Sequence, residues 1–227
     1  MSYKFLLFDL DNTLLDFEAA EEFALDELLK EQEVEAIEAY KAYYKPMNQS
    51  MWQDLEQGKI AKSELVNTRF SKLFSHFGRE VDGKALAKAY QNHLSKQGQL
   101  YHGARELLVD LTARGYKLYA ATNGIAAIQK GRLKVSALEP FFQKIFISEE
   151  VGSQKPEVAF YHHIANSIPG FNKSEALMIG DSLSADIKGG NDFGIDTVWY
   201  NPKKNQTSSS LHPTYEVPSY QMLLDLL

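Results

Sequence analysis

Five short apolar segments separated by helical patterns constrain this chain more than any other feature: residues 3–8, 116–121, 144–148, 176–179 and 196–200. Each is rich in Ile, Leu, Val, Phe or Tyr and mostly lacks alternation, the pattern of a strand covered on both faces. Between them, "ARELLVDLTARG" places Leu107, Leu108 and Leu111 on one face and ends at Gly115, a left-handed helix stop. "PEVAFYHHIANS" opens with Pro156, which suits the first turn of a helix. The alternation predicts an α/β fold, a doubly wound parallel sheet with right-handed crossovers and a Rossmann-like core.

The first crossover departs from this rhythm. Residues 16–95 contain no strand pattern, only helical ones such as "DFEAAEEFALDELLK" and "KSELVNTRFSKLFSHF", broken near Pro46, Gly58 and Gly78. That is more helix than one crossover needs. The expected division is therefore an α/β core of residues 1–15 and 96–227 with a separate helical domain, residues 16–95, inserted after the first strand. Residues 16–38 hold ten acids against Lys30 alone, which reads as a solvated helix face. "NPKKNQTSSSLHPTYEVPS", including the serine run 208–210, reads as a surface loop, and "YQMLLDLL" as a short closing helix.

A length of 227 residues accommodates this core and its insertion. No apolar stretch is long enough to span a membrane, and the N-terminus lacks the basic lead of a signal peptide. The absence of cysteine excludes disulfides and thiolate metal sites and fits a reducing cytoplasm. A net charge of -6 argues against nucleic acid polymers, whose binding rests on many Lys and Arg contacts, yet leaves room for one small phosphate compound at a local site. Monomer and homodimer both remain open.

In open parallel sheets, ligands bind beyond the carboxyl ends of the strands. The first strand is followed by Asp9-Leu10-Asp11-Asn12-Thr13 and the second by Thr122-Asn123-Gly124. A loop ending in Gln154-Lys155-Pro156 follows the third, and Gly180-Asp181-Ser182 follows the fourth, with Asp186 five positions on. Taken singly, these residues have bland readings as turn pairs, helix caps, a hairpin turn or a surface lysine. Together they load one rim with four acids. Two unit charges about 4 Å apart cost about 4 kcal/mol at an effective dielectric near 20, so a cation is expected among them. Oxygen donors without His or Cys point to a hard ion, Mg²⁺.

"DLDNT", "TNG", "QKPE" and "GDSLSAD", in this order on these strand ends, resemble the four motifs of the haloacid dehalogenase superfamily. The pattern spans the chain, and the insertion directly after the first motif is similar to that of members with a helical cap of the first type. "SEEVGSQKPEVAFYH" and "GDSLSADIKGGNDFGIDTVWYNP" further resemble the branch containing pyrimidine 5'-nucleotidases.

The resemblance implies a Mg²⁺-dependent phosphatase of small phosphomonoesters, with nucleoside 5'-monophosphates first among them, working through an aspartyl phosphate. It implies Asp9 as nucleophile and Asp11 as acid and base. Asp9, the backbone carbonyl of Asp11 and Asp181 would hold Mg²⁺. The Thr122 hydroxyl, the Asn123 backbone N–H and the Lys155 ammonium would grip the phosphoryl oxygens. Asp186 would orient Lys155 or a metal-bound water, and Asn12 and Thr13 would shape the turn. Substrate choice is expected in the cap, although Tyr40, Tyr43, Tyr44, Met51, Trp52, Arg69 and Phe70 are each better read as its core, and hinges are expected near Asp16 and residues 95–98. A phosphomutase would use the same Asp9 and Asp11. A dehalogenase needs neither Mg²⁺ nor Asp11, and a non-enzymatic receiver-like phosphoacceptor would have no use for the helical insertion.

Overall fold

The computed structural model describes residues 3–205 and 210–227, so four residues of the expected loop, 206–209, two of them in its serine run, lie outside the described residues. The chain divides into two compact units, one running to Phe17 and resuming at Gly98, the other Glu18–Gln97.

The first unit is built on a six-stranded sheet: β1 (Phe5–Phe8), β2 (Lys117–Thr122), β3 (Lys144–Ile147), β4 (Ala176–Gly180), β5 (Asp196–Tyr200) and β6 (Tyr215–Val217). Its order is β3-β2-β1-β4-β5-β6 and every pairing is parallel. All four residues of β1 are buried, and the two-residue period sends Leu6 and Phe8 into one core and Phe5 and Leu7 into another. Tyr3 and Lys4, expected in this strand, precede it, and the Tyr3 hydroxyl donates to Asp196 at 2.6 Å. The larger correction is β6, which lies in the stretch expected to be loop. Three residues flanked by turn formers are too few to display a period, and only parallel pairing with β5 makes them a strand.

The second unit is helical: α1 (Phe17–Glu31, whose first residue belongs to the sheet unit), α2 (Ile37–Glu56), α3 (Lys62–His76) and α4 (Gly83–Ser95). Gly58 and Gly78, with φ of 70° and 72°, follow α2 and α3 as left-handed stops. Pro46 is not a break but lies inside α2. It is exposed, as is Ala42, whose carbonyl loses its usual i+4 donor to the proline, while Lys41, Tyr44 and Asn48 pack on the opposite side. The acidic stretch is not wholly a solvated face either. Glu21 is buried, and the buried Lys41 pairs with Glu22, Asp26 and Glu38. Tyr40, Tyr44, Met51, Arg69 and Phe70 are buried, and Tyr43 and Trp52 are partly so. Tyr44 stacks on Phe70 with ring centroids 5.4 Å apart, and the Arg69 guanidinium lies 4.8 Å from the Tyr90 ring centre.

The sheet is covered by α5 (Ala104–Ala113), α6 (Ala126–Ser136), α7 (Ser148–Val151), α8 (Val158–Ser167), α9 (Lys188–Phe193) and α10 (Tyr220–Leu226). Leu107, Leu108 and Leu111 of α5 join Leu223 of α10 against Leu6 and Phe8. Phe160, Tyr161 and Ile164 of α8 pack with Phe5 and Leu7 on the other side. Pro156 falls two residues short of α8, in the turn that precedes it, and the Lys155–Pro156 peptide is cis. Where the chain leaves and rejoins this unit its two passages pair, Asp16 N–H to Gln99 carbonyl at 3.0 Å and Tyr101 N–H to Leu14 carbonyl at 3.1 Å. Among the described residues no helix is long and apolar enough to cross a membrane. Since β1 lies between β2 and β4, the carboxyl ends of three neighbouring strands form one rim.

Candidate active site

Asp9 continues β1 onto the rim, its N–H donating to the Ile179 carbonyl at 2.8 Å, so the sheet itself sets the start of its side chain. The following turn closes on one acceptor, the Leu10 carbonyl, which receives the N–H groups of Thr13, Leu14 and Leu15. Asn12 takes φ 63°, a conformation Asn tolerates better than most residues. Lys155 arrives on the segment before α8. The Asn123 side chain holds its backbone from both sides, Nδ2 donating to the Lys155 carbonyl at 2.7 Å and Oδ1 accepting its N–H at 2.8 Å. The Lys155 Nζ then reaches Asp9 Oδ1, Asp186 Oδ1 and the Ala121 carbonyl, each at 2.6 Å. All three ammonium hydrogens are thereby committed.

Asp186 lies in a helical turn, residues 183–187, whose start is capped by Ser182 Oγ accepting the Ala185 N–H at 3.1 Å. Its second oxygen accepts the Ser182 N–H at 3.0 Å, so both carboxylate oxygens have partners. Asp181, at the tip of β4, accepts from the Thr13 hydroxyl at 3.4 Å, and its backbone carbonyl receives the Trp199 indole N–H at 2.8 Å. Carboxylate oxygens of Asp9, Asp181 and Asp186 lie within 4.8 Å of one another. Three hard oxygen donors at this spacing fit a hard divalent cation such as Mg²⁺, with Asp9 and Asp181 better placed to ligate than the fully engaged Asp186.

Electrostatics agree with that reading. Burial pushes the Asp9 carboxyl up to about 7 against the pull of Lys155, and the charges of Asp186 and Asp11 add to the rise. Asp181 is held well above the carboxylate range, first by desolvation and then by Asp9 and Asp186. For Lys155, burial opposes the charged form, but Asp186 and Asp9 outweigh it and raise the ammonium. Ionising both rim acids therefore calls for more positive charge than one lysine carries.

The structure brings Asp9, Lys155, Asp181 and Asp186 together. Thr122 is buried beside them, its Oγ accepting from Gly124 N–H at 3.0 Å and Gln129 Nε2 at 2.9 Å, which leaves its own proton to donate. The side chain of Asp11 is not in the acid cluster. It turns to α6, where it accepts from Gln129 Nε2 at 2.5 Å and pairs with the fully buried Arg132. Sequence reasoning missed Gln129, Arg132 and Trp199, as well as the side-chain role of Asn123. A signal existed for the first two: Ile128, Gln129, Arg132 and Leu133 share one helical stripe, and all four are buried.

The rim of this parallel, doubly wound core thus gathers three acids around one buried lysine. The sequence profile described as haloacid dehalogenase-like hydrolase matches residues 6–200, and the chain belongs to that family. Pyrimidine 5'-nucleotidase PynA of Streptococcus pneumoniae is 61% identical over 100% of this chain and 96% of its own length. Pyrimidine 5'-nucleotidase YjjG of Escherichia coli is 29% identical over 100% of this chain and 99% of its own. The crystal structure of the HAD-hydrolase YfnB from Bacillus subtilis, bound to magnesium, matches with a TM-score of 0.95 at 42% identity, covering 100% of this chain and 99% of that one. The chain is accordingly an enzyme, a phosphoric monoester hydrolase, and the receiver-like reading falls away.

Proposed function

We propose that this chain is a Mg²⁺-dependent 5'-nucleotidase that releases phosphate from nucleoside 5'-monophosphates, pyrimidine ones above all, through an aspartyl phosphate on Asp9. The observation that carries the chemistry is the meeting at one rim of Asp9, Asp181 and Lys155, with Lys155 2.6 Å from Asp9. The substrate class is supported by the end-to-end identity of 61% to a pyrimidine 5'-nucleotidase.

In this reading an Asp9 oxygen attacks phosphorus, and the bond to the ribose 5'-oxygen breaks as Asp11 gives that oxygen a proton. A water then attacks the phosphorus carried by Asp9, Asp11 takes its proton, and the Asp9 oxygen is released with inorganic phosphate. The Thr122 hydroxyl, the Asn123 backbone N–H and Lys155 hold the phosphoryl oxygens, Lys155 exchanging its Asp9 contact for one of them. Asp186 keeps Lys155 in place throughout. Asp9, Asp181 and the Asp11 carbonyl would hold Mg²⁺, which when bound would neutralise charge on the nucleophile and the phosphate. Residues 1–15 and 96–227 form the catalytic core of this scheme, and residues 16–95 form a cap that carries substrate choice.

Phosphate release across nucleotides, sugar phosphates and phosphonates, with Mg²⁺ present, tests the reading. Pyrimidine nucleoside 5'-monophosphates are expected to lead, and Asp9→Asn is expected to abolish turnover with an unchanged circular dichroism spectrum. Wild-type-like turnover by that variant would refute the nucleophile.

A further inference from the structure

We propose that Gln129 and Arg132 of α6 form a clasp that places the Asp11 carboxylate, making them positioning residues for its proton transfers. The proposal rests on the role given to Asp11 above. The two donors stand three residues apart on one helix and meet the two oxygens separately, Arg132 Nη1 at Oδ1 and Gln129 Nε2 at Oδ2.

Both donors are themselves held. Arg132 is completely buried, its other terminal nitrogen donates to the Asp16 carbonyl at 3.3 Å, and its guanidinium carbon lies 5.6 Å from the Phe17 ring centre. The Gln129 amide spends one hydrogen on Asp11 and one on Thr122 Oγ, so it ties Asp11 to the hydroxyl assigned to the phosphoryl group. Among the described residues its carbonyl oxygen is buried without a partner, while both amide hydrogens are engaged. Gly124 completes the arrangement. A Cβ there would come within 2.2 Å of Gln129 Nε2 and 2.6 Å of its Cγ, so the glycine keeps open the space the amide occupies.

A fully buried arginine is a poor means of gaining stability, because desolvation consumes most of what the ion pair returns, and here the Asp11 side chain stays 27% exposed. Direction is what the pair confers: two oxygens each bound to a fixed donor leave the carboxylate one orientation.

The test is a double-mutant cycle on p-nitrophenyl phosphate, combining Arg132→Met with Asp11→Asn and checking every variant by circular dichroism. Arg132→Met is expected to lower kcat by about 10- to 100-fold, the range of a mispositioned acid–base group, with KM changed less than about threefold. In the Asp11→Asn background the same substitution should change kcat by less than about threefold. Equal losses in both backgrounds, or a loss carried by KM, would overturn the clasp. If Arg132→Met does not fold, Gln129→Met enters the same cycle. Failure of both to fold would assign the pair to core stability and also overturn the proposal. An enzyme inert towards nucleotides would defeat the substrate reading alone, since the cycle uses none.

Discussion

At the residue scale, the rim shows how much depends on the absence of atoms. Gly180 ends β4 next to Asp186, and a Cβ at that position would lie 2.1 Å from Asp186 Oδ2 and 2.3 Å from its Cγ. Asp186 has nowhere to retreat, with one oxygen held by Lys155 and the other by the Ser182 N–H. Gly180→Ala is therefore expected to push Asp186 off Lys155 and lower kcat by about 10- to 100-fold through misplacement alone. Steady-state kinetics beside a thermal melt check this, and an unaltered kcat would show that Asp186 does not govern Lys155. Asp9, Asp11, Thr122 and Asp181 were readable in the sequence because each lies where an apolar run ends, and Asp186 and Lys155 because they complete the motifs "GDSLSAD" and "QKPE". Gln129 and Arg132 were not, because helical periodicity reports which stripe is buried and not what that stripe meets.

At the scale of elements, the helical unit shows where local rules yield to packing. Pro46 was expected to interrupt a helix, yet α2 runs through it, since its cost falls on the exposed side while the opposite side is fixed by buried residues. Glu21 of α1 was expected in a solvated acidic face and is buried, receiving Asn48 Nδ2 at 3.2 Å. Burial pushes its carboxyl up to about 7, with Arg69 and Lys45 opposing the shift. A raised acid favours the folded state most at low pH. Below the unfolded value near 4.3 both states hold the proton. As pH climbs, the unfolded chain ionises first and stability falls until the folded group ionises near 7. Glu21→Gln keeps an acceptor for Asn48 without that decline. Its stability relative to the parent should rise by about 2 to 4 kcal/mol between pH 4 and pH 8, read from urea midpoints. A pH-independent difference would contradict the burial argument.

At the scale of the whole molecule, the rim joins residues far apart in the chain, with Lys155 and Asp9 separated by 146 positions and Arg132 and Asp11 by 121. A cation bound only by the folded arrangement stabilises it by mass action. At a hundredfold excess over its dissociation constant, Mg²⁺ should add about 2.7 kcal/mol, or about 5 to 10 °C in Tm for a chain of this size. A chelator should reverse the shift and Asp181→Asn should remove it. An equal shift in that variant would place the ion elsewhere. The chain's periodicities were sufficient for the α/β class, five of the six strands and the acids at their ends, because side-chain alternation and turn chemistry are properties of neighbouring residues. Strand order, the three-residue β6, the partners that occupy both oxygens of Asp186 and the turn of Asp11 towards α6 were decided only in three dimensions. Each of these depends on which buried polar groups find one another across the sheet, and hydrogen-bond satisfaction between distant segments leaves no local pattern to read.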